Sequence, residues 1–540
     1  MNDRVPVVSR WLRLRERAKR RSMMRGYRLL KATGRLDLLT NAVDDMTNTP
    51  PCGGATYSRW VFGAGSDRAD LVVRQYALVR VTRLSLNKSL LLSLGRRQPV
   101  VHPLPAVWRS ILTRHGFAVD QLRSALLWQG FVALMWAYGV MSIAQKLGRN
   151  LLGAFRGGDS RAHLGAFAFF DALAPGNLPQ PGLDGRSEDI CSWYARWDDR
   201  PDGLAAICHT VPAAGTSTAN GVPVVPVPGA VPALTSTAGQ ARFWGWSVVA
   251  VAIATADLFR GRWWHALVLS QASMAATVRL LPQRDVARDY LFHMAAHIYR
   301  PLWTYEAESR GARVILYNYS TNIETFKRAD GYPTQANSWQ VTTWPICLVW
   351  DDAQAEFFAR MTGGRTSIRV VGPIWFSTSP LMLGAVPTPA VAVFDVQPHR
   401  ASWYQLLGMG DEFYTPSTVN QFLLDAHRAV GEAGATMILK RKRDIGRQQH
   451  PSYAAVGRRL EKAGHFLAVD PSIAATKVIA ESRAVISLPF TSTALLGRAM
   501  GKPSVYYDPL GTVQRDDRAA HGVPVVIGYE ELARWVAANV

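Results

Sequence analysis

The C-terminal half of the chain alternates short apolar runs with amphipathic segments. Runs rich in branched residues predict strands at residues 314–317, 347–350, 367–371, 391–395, 436–439, 466–469, 485–488 and 505–507. Helical periodicity predicts helices at residues 289–308, 351–361, 418–433, 453–463, 473–482 and 493–500. Strands that alternate with helices in this way predict an α/β fold, a parallel sheet with helices on both faces.

Two uncharged apolar runs, at residues 125–144 and 243–258, mark the N-terminal half. The first has twenty residues, about the length that crosses the hydrocarbon core of a bilayer. Polar residues and glycines interrupt it, so the pattern favours a helix buried in the core or lying at the membrane interface over a span. The second run ends beside arginines and tryptophans, a composition typical of a membrane interface or of packing between domains.

The remaining N-terminal segments are less regular. Alternating apolar positions at residues 71–94 predict one or two strands. Residues 47–66, 174–203 and 211–239 are rich in proline, glycine and small polar residues, and we expect loops there. The last of these predicts an ordered surface excursion or a flap.

The formal net charge is +21, and residues 1–40 hold twelve Lys or Arg against three acidic residues. Residues 11–39 therefore predict a basic helix that lies on anionic lipid, is solvated, or forms a disordered arm. No aromatic residues alternate with these charges, so we expect no nucleic-acid partner. With 48% hydrophobic residues, a disordered protein is excluded.

Sequence motifs exclude several classes of chemistry. The four cysteines are far apart and form no Cys-x-x-Cys pair, which favours a reducing cytosol over a disulfide framework or zinc site. Asp-x-Asp pairs, Walker A loops, Gly-x-Gly-x-x-Gly loops and Gly-x-Ser-x-Gly elbows are all missing from the sequence. We therefore expect no metal and no cofactor.

The first candidate site is the turn that follows the predicted strand at 485–488. It consists of Pro489, Phe490, Thr491, Ser492 and Thr493 and leads into a helix. Backbone N–H groups at a helix N-terminus stabilise phosphate, so this turn predicts a phosphate site. The alternative is that a hydroxyl only caps the helix.

The second candidate is a basic run after the strand at 436–439, formed by Lys440, Arg441, Lys442 and Arg443. Cations fixed there would neutralise a departing phosphate. Alternation in an extended segment predicts that Lys440 and Lys442 face the cleft and that Arg441 points away. The alternative is a solvated charge run.

The third candidate is the turn that begins at Asn318. Glu324 in this turn is a candidate general base for an acceptor hydroxyl, or it is a carboxylate that forms a capping box with Thr321. His293 and His297, predicted on one helix face, are alternative bases together with His399.

The segment SLPFTSTALLGRAMGKPSVYYDP resembles the signature of bacterial polysaccharide biosynthesis proteins named for a PFTS motif. More distantly, the layout is similar to GT-B glycosyltransferases, capsule Kdo transferases and teichoic-acid glycerophosphotransferases. In those, a Ser/Thr turn and a basic segment contact the donor nucleotide; the sequence ILKRKRD takes the place of the basic segment, without the usual Lys-x-His-Pro form. The VVGPI stretch containing Gly372 resembles the end of the N-terminal domain.

The resemblance implies a GT-B-like pair of Rossmann-like domains with an elaborated, partly apolar N-terminal half. We expect a basic helix or arm at residues 1–46, an acceptor-side α/β domain at 47–385 and a nucleotide-sugar domain at 386–540. The implied function is metal-independent transfer of a sugar from a nucleotide-activated donor to a growing surface polysaccharide or lipid-linked glycan. The alternatives are a polyol-phosphate transferase and a non-catalytic assembly or export partner. We expect a cytoplasmic protein, peripheral at the cytoplasmic membrane.

Overall fold

Two sheets, one in each half of the chain, form the frame of the protein. The computed structural model describes residues 7–52, 55–156, 164–180, 188–212, 215–376, 381–399 and 413–540. Both sheets are built mainly from parallel strands covered by helices. The predicted α/β class, with two Rossmann-like sheets, is confirmed by this topology.

The N-terminal sheet has eight described strands in the order β3-β4-β2-β1-β5-β6-β7-β8. All pairs are parallel except β3 with β4. The strands are β1 Ala166–Phe170, β2 Leu204–His209, β3 Ser217–Ala219, β4 Val222–Pro226, β5 Asp289–His293, β6 Arg313–Tyr317, β7 Ile346–Val349 and β8 Ser367–Val370. The direction of winding reverses between β1 and β5, which are neighbours in the sheet.

The C-terminal sheet has six described strands, all parallel, in the order β11-β10-β9-β12-β13-β14. This is the doubly wound order of dinucleotide-binding folds, with its switch point between β9 and β12. The strands are β9 Ala390–Phe394, β10 Thr436–Lys440, β11 Phe466–Val469, β12 Ala484–Ser487, β13 Ser504–Asp508 and β14 Val525–Ile527. The helices of this half are α13 Pro416–Glu432, α14 Pro451–Leu460, α15 Ala475–Ala480, α16 Ser492–Ala499 and α17 Tyr529–Asn539.

The first part of the chain is helical. Its helices are α1 Val7–Ala32, α2 Leu38–Asn48, α3 Arg59–Phe62, α4 Ala69–Arg83, α5 Leu86–Arg96, α6 Ala106–Arg114 and α7 Gln121–Arg156. The strands predicted at 71–94 are therefore wrong. Buried positions in α4, such as Val72, Val73, Tyr76 and Ala77, recur with a helical period, which over a short apolar segment resembles the alternation of a strand.

The basic helix α1 packs closely against α5. Met23, Tyr27 and Leu30 of α1 are buried, so this helix is ordered on the protein surface. Two glycines allow the backbones of the two helices to approach closely. A Cβ added to Gly95 would lie 1.8 Å from the carbonyl oxygen of Ser22, and a Cβ added to Gly26 would lie 2.4 Å from the carbonyl oxygen of Leu91. Side chains larger than hydrogen do not fit at this crossing.

Three more helices follow: α8 Ile190–Arg196, α9 Thr237–Phe259 and α10 Trp264–Leu280. Most of α10 is buried, and α7 and α9 pack against it. Two helices in the described chain, Gln121–Leu152 and Thr237–Phe259, are long and apolar enough to cross a membrane. Their outer faces are exposed, including Leu134 at 65% and Trp244 at 61%, so a fully buried core helix at 125–144 is wrong.

Two other predictions need correction. Residues 289–308 do not form one helix. The segment begins with the strand β5, and the helix α11 spans only Trp303–Ser309. Because β5 is buried on both faces, its apolar run carries no alternation that would identify a strand. His293 therefore ends a strand, and His297 stacks on Trp339 with ring centroids 3.8 Å apart, so the histidines share no helix face. Part of segment 211–239 joins the sheet as β3 and β4.

Candidate active site

The carboxyl-terminal edges of the two sheets face each other. The turn after β6 and the turn after β12 are in direct contact, because the hydroxyls of Ser320 and Ser492 lie 2.8 Å apart. Beside them, Nδ1 of His521 in the C-terminal half lies 2.8 Å from the carboxylate of Asp351, which precedes α12 (Asp352–Thr362). In open α/β sheets ligands bind at this edge, near the switch points. The region between the two edges is therefore the candidate site, and we refer to it as the cleft.

The motif turn, residues 489–493, uses most of its hydroxyl groups in hydrogen bonds within the turn or to the strand before it. Thr491 occupies the N-cap position of α16 but makes no side-chain cap; its hydroxyl donates to the carbonyl of Leu488 at 3.0 Å. Thr493 Oγ1 lies 3.2 Å from Thr491 Oγ1 and 2.9 Å from Ser487 Oγ. These contacts fix the shape of the turn around the start of the helix.

Ser492 reaches the other half of the molecule. Its Oγ accepts hydrogen bonds from the backbone N–H of Thr321 at 2.9 Å and from the Thr321 hydroxyl at 3.1 Å. The receiving turn is held by α12, since Gln354 Nε2 donates to the carbonyl of Ser320 at 3.0 Å. The structure thus brings together the first and third predicted sites.

Pro489 and Phe490 are used in packing. The carbonyl of Pro489 accepts from the Tyr414 hydroxyl at 2.9 Å. Phe490 is buried with φ 62°, a left-handed conformation that is uncommon for a bulky residue, and its ring contacts Phe326 of the N-terminal half. A strained residue of this kind marks a turn that is held by its surroundings.

The basic run is placed differently from the prediction. The Lys440 ammonium is buried and donates to the carbonyls of Arg441 and Pro471, at 2.9 and 2.8 Å, instead of facing the motif turn. Burial lowers its pKa to about 8. Burial also lowers the pKa of Lys442, with a further contribution from Arg443. Arg441 lies near the buried Asp395, whose pKa burial raises to about 6.

Arg443 is the cation of this run that approaches the N-terminal half. Burial raises the pKa of Tyr319, and the charge of Arg443 partly offsets this effect. Burial lowers the pKa of His399, and the positive charge of Arg443 lowers it further. Arg443 therefore lies within electrostatic range of groups from both sheets.

A carboxylate and an imidazole lie at the switch point of the N-terminal sheet. Asp171 follows β1 and His293 ends the neighbouring strand β5. Burial raises the pKa of Asp171 to about 6 and lowers the pKa of His293. His293 Nδ1 accepts from the backbone N–H of Ala295 at 3.3 Å, which assigns the proton of the neutral ring to Nε2.

An aromatic pair borders the same region. The rings of Tyr319 and Phe376 stack with centroids 4.1 Å apart and an interplanar angle of 17°. Gly372, after β8, has φ 75°, a left-handed conformation that favours glycine. Asn177 Nδ2 donates to the carbonyl of Phe376 at 3.0 Å and fixes it. Such a flat apolar surface is suited to a base or sugar face.

Two predicted residues have structural contacts instead. The buried carboxylate of Glu324 is paired with Arg360 at 2.8 Å and with Arg518 of the C-terminal half at 2.9 Å. Asn318 is buried, and its Nδ2 donates to the carbonyl of Leu348 at 3.0 Å. Both residues hold the turn and the junction between the halves. The two ion pairs of Glu324 argue against its predicted role as the base, and the predicted substrate-binding residue Asn318 uses its amide N–H within the protein.

Sequence reasoning missed Asp171. Its signal was the run AFAFF followed directly by an aspartate, which reads as a buried strand with a carboxylate at its carboxyl end. Among the described residues no cluster of three His, Cys, Asp or Glu side chains is arranged to hold a metal ion.

Several solved structures are similar in outline. The UDP-GlcNAc 2-epimerase from Methanocaldococcus jannaschii has 8% identity and TM-score 0.34, covering 69% of this chain and 91% of its own. The glycotransferase of kitacinnamycin has 11% identity and TM-score 0.33, covering 69% and 89%. The lipopolysaccharide outer core galactosyltransferase WaaB has 10% identity and TM-score 0.33, covering 69% and 91%.

No curated protein matches the chain. Residues 246–536 match the family described as polysaccharide biosynthesis PFTS motif protein. This region includes β5–β14, and with them the motif turn, the turn after β6 and the junction between the halves. The match extends over more than half of the chain, which therefore belongs to the polysaccharide biosynthesis PFTS motif family.

Proposed function

We propose that the protein is a glycosyltransferase that moves a sugar from a nucleotide-activated donor to a growing surface polysaccharide or lipid-linked glycan. The observation that carries the proposal is the contact of Ser492 with Thr321, since it brings the carboxyl edges of two doubly wound sheets to one cleft. Ligands of such sheets bind at this edge. Family membership supplies the biological setting, polysaccharide biosynthesis.

The proposed donor site lies between the stacked Tyr319–Phe376 pair and Arg443. In this arrangement the aromatic pair packs against the nucleoside or sugar, and the guanidinium neutralises the phosphate that departs. The start of α16 adds the positive end of a helix dipole at the same edge. These groups stabilise the charge that develops on the leaving group.

The proposed base is Asp171. The bond between the anomeric carbon and the donor phosphate oxygen breaks, and the nucleotide leaves with the bonding electrons. The acceptor hydroxyl oxygen forms the new bond to that carbon, and its proton passes to the Asp171 carboxylate. A carboxylate with a pKa of about 6 is ionised at neutral pH and is more basic than an ordinary aspartate. The Nε2–H of His293 is the second group that this part of the site offers to a substrate oxygen, as a hydrogen-bond donor.

The test combines binding and transfer. Thermal shifts are measured with UDP-, GDP-, CMP- and CDP-linked donors, and we expect one nucleotide class to stabilise the wild type and Asp171→Asn alike. Arg443→Ala is expected to lose that shift, whereas the charge-matched control Arg458→Ala retains it. Transfer of labelled sugar to a membrane or polysaccharide acceptor is expected from the wild type but not from Asp171→Asn. A folded protein that responds to none of the donors contradicts the proposal.

Each alternative has its own outcome. A polyol-phosphate transferase gives its shift with a CDP-polyol, and phosphorus enters the product. A non-catalytic assembly partner leaves polymer production in cells intact when Asp171 or Arg443 is replaced. Transfer is also assayed in EDTA and in Mg²⁺, because the proposal is of a metal-independent reaction; loss of transfer in EDTA contradicts that part.

The proposal includes attachment of the protein to the cytoplasmic membrane surface. The exposed apolar faces of α7 and α9 support it, together with the basic helix α1. Between Arg123 and Lys146, α7 carries no charged residue. A membrane-bound enzyme would meet a lipid-linked acceptor by diffusion in two dimensions.

A further inference from the structure

A groove between α7 and α9 runs along the exposed apolar surface. Its volume is about 620 Å³, and its walls are apolar apart from two hydroxyl side chains. The main contributors are Leu147, Trp244, Val248, Val251 and Phe259, the last of which is 90% exposed. A contiguous apolar patch that is exposed to water is typical of a site that binds a protein, a membrane or an apolar ligand.

The groove adjoins a smaller pocket of about 180 Å³, whose lining includes two cationic side chains and one amide side chain. Leu147 lines the groove, and its neighbours on α7, Lys146, Arg149 and Asn150, line the pocket. Residues three and four apart on a helix lie on one face, so the two cations and the amide converge. The opposite wall is the chain at residues 229–233 together with Met274 and Thr277 of α10.

Asn150 provides an independent observation. Its Oδ1 accepts from the backbone N–H of Leu234 at 2.9 Å, but its Nδ2 has no hydrogen-bond partner among the described residues, although the residue is only 3% exposed. Buried donors in proteins are almost always paired. The pocket therefore combines the Asn150 amide donor with the guanidinium of Arg149 and the ammonium of Lys146, which also donates to the Ser142 hydroxyl at 2.9 Å. An oxyanion is the ligand that such a set of donors and positive charges fits.

We propose that this pocket binds the phosphate head group of a membrane lipid whose chain lies in the groove between α7 and α9. Two cations and one amide donor match the oxygens of a phosphate, and the adjoining groove matches a hydrocarbon chain. The same helix supplies both parts, since the polar residues follow directly on the apolar stripe of α7. The proposal defines how the protein is held on the membrane.

The helices lie on the membrane surface in this arrangement and do not cross it. Gly139 of α7 is so close to α10 that an added Cβ would lie 2.7 Å from the Cβ of Leu269. In turn, α10 is buried in the core of the N-terminal half, so α7 cannot leave it without exposing that core. The inference rests on the proposed membrane attachment and is independent of the transferase chemistry.

The experiment is co-sedimentation of the full chain with vesicles of phosphatidylcholine, with and without phosphatidic acid. We expect strong binding only to the vesicles that contain phosphatidic acid. The double variant Lys146→Ala/Arg149→Ala is expected to bind them about 25-fold more weakly, since each cation near a lipid surface contributes roughly fivefold. The control Arg458→Ala/Arg459→Ala removes the same charge from α14 and is expected to bind as the wild type does.

A second variant keeps the test decisive if the double variant does not fold. Asn150→Asp retains the acceptor for Leu234 but replaces the amide donor by a carboxylate, and it is expected to lose binding as well. Equal losses in the control variant indicate unspecific surface charge and overturn the proposal, as does equal binding to both vesicles. Thermal stabilisation by inorganic phosphate without vesicle binding indicates a site for free phosphate and also overturns it.

Vesicle binding and nucleotide-donor binding are separate readouts. A protein that binds a donor but not lipid contradicts only the lipid site, and the reverse result contradicts only the transferase.

Discussion

Ser492 of the motif turn accepts two hydrogen bonds from Thr321, one from its backbone N–H at 2.9 Å and one from its hydroxyl at 3.1 Å. The two residues belong to different sheets, so the serine of the PFTS sequence connects the halves of the molecule. Thr491 and Thr493 meanwhile stabilise the turn itself. The motif turn therefore acts as a junction between the two halves of the molecule.

Ser492→Ala is expected to weaken donor binding while leaving the fold of each half intact. The variant removes the acceptor of the Thr321 N–H, and leaving such a group unpaired costs about 1–3 kcal/mol. The closed arrangement of the halves loses that stabilisation, so KM for the donor is expected to rise roughly tenfold or more. Steady-state kinetics with the donor identified by the thermal-shift panel measure this effect.

The matched control is Ser504→Ala. Ser504 begins β13 at the opposite edge of the C-terminal sheet, and its hydroxyl donates to the carbonyl of Lys502 at 2.9 Å. We expect unchanged kinetics for this variant. A KM for Ser492→Ala equal to that of the wild type would show that the contact with Thr321 does not control the cleft.

Asp171→Asn is expected to lower the rate of transfer about 10²- to 10⁴-fold, the usual contribution of a general base. The rate of the wild type is expected to rise with pH through about pH 6, where this carboxyl ionises. Asp202→Asn, at an exposed position that follows α8, provides the control and should retain the wild-type profile. An active Asp171→Asn enzyme would assign the base to another residue.

The same substitution is expected to stabilise the protein above pH 6. Burial raises the pKa of Asp171 from 3.8 to about 6, so the folded state binds the proton more tightly than the unfolded state. The free energy of unfolding of the wild type therefore falls as pH rises from about 4 to 6, by at most about 3 kcal/mol. The amide introduced by Asp171→Asn cannot ionise, so the variant avoids this loss; urea unfolding at pH 4 and pH 7 measures the difference.

The regular βα units of the C-terminal half could be predicted from the sequence because each strand is a short apolar run between turn residues. The predicted strand at 436–439 corresponds to β10, and the predicted one at 485–488 to β12. The N-terminal half could not be read in this way. A central strand such as β5 and a core helix such as α10 are both buried along nearly their whole length, so neither shows a clear period of apolar and polar positions that would distinguish strand from helix.

The site was predictable only in part, for a related reason. The order of strands and helices predicts which turns lie at the carboxyl edge of a sheet. The turns that contain Thr321 and Ser492 could therefore both be assigned to such an edge from the sequence. The direction of a side chain is set by contacts distant in sequence. Lys440 turns to the carbonyl of Pro471, and Glu324 is held by Arg518, almost two hundred positions away.

Glu324→Gln is expected to reduce stability and to leave the chemical step unchanged. The substitution removes the charge that pairs with Arg360 and Arg518, and because both arginines are partly exposed we expect a loss of about 1–2 kcal/mol, less than for a fully buried pair. Glu356→Gln is the control, since this exposed carboxylate lies 3.9 Å from the same Arg360. Urea unfolding and kcat are measured for both variants. A large loss of kcat in folded Glu324→Gln would restore this residue as the base.

Gly95→Ala tests whether the basic helix α1 is part of the folded protein. The added Cβ would lie 1.8 Å from the carbonyl oxygen of Ser22 in α1, a backbone atom that cannot move without displacing the whole helix. Overpacking of this kind costs about 1–3 kcal/mol, so the crossing of α1 and α5 is expected to open. Because α1 is rich in Lys and Arg, limited trypsin digestion is expected to cut it faster in the variant.

The control is Gly457→Ala on α14, where the added Cβ meets no atom within 4 Å. Helix propensity favours Ala at such a position, so trypsin should digest this variant at the same rate as the wild type. Equal digestion of Gly95→Ala and wild type would show that α1 does not depend on this contact for its place on the protein.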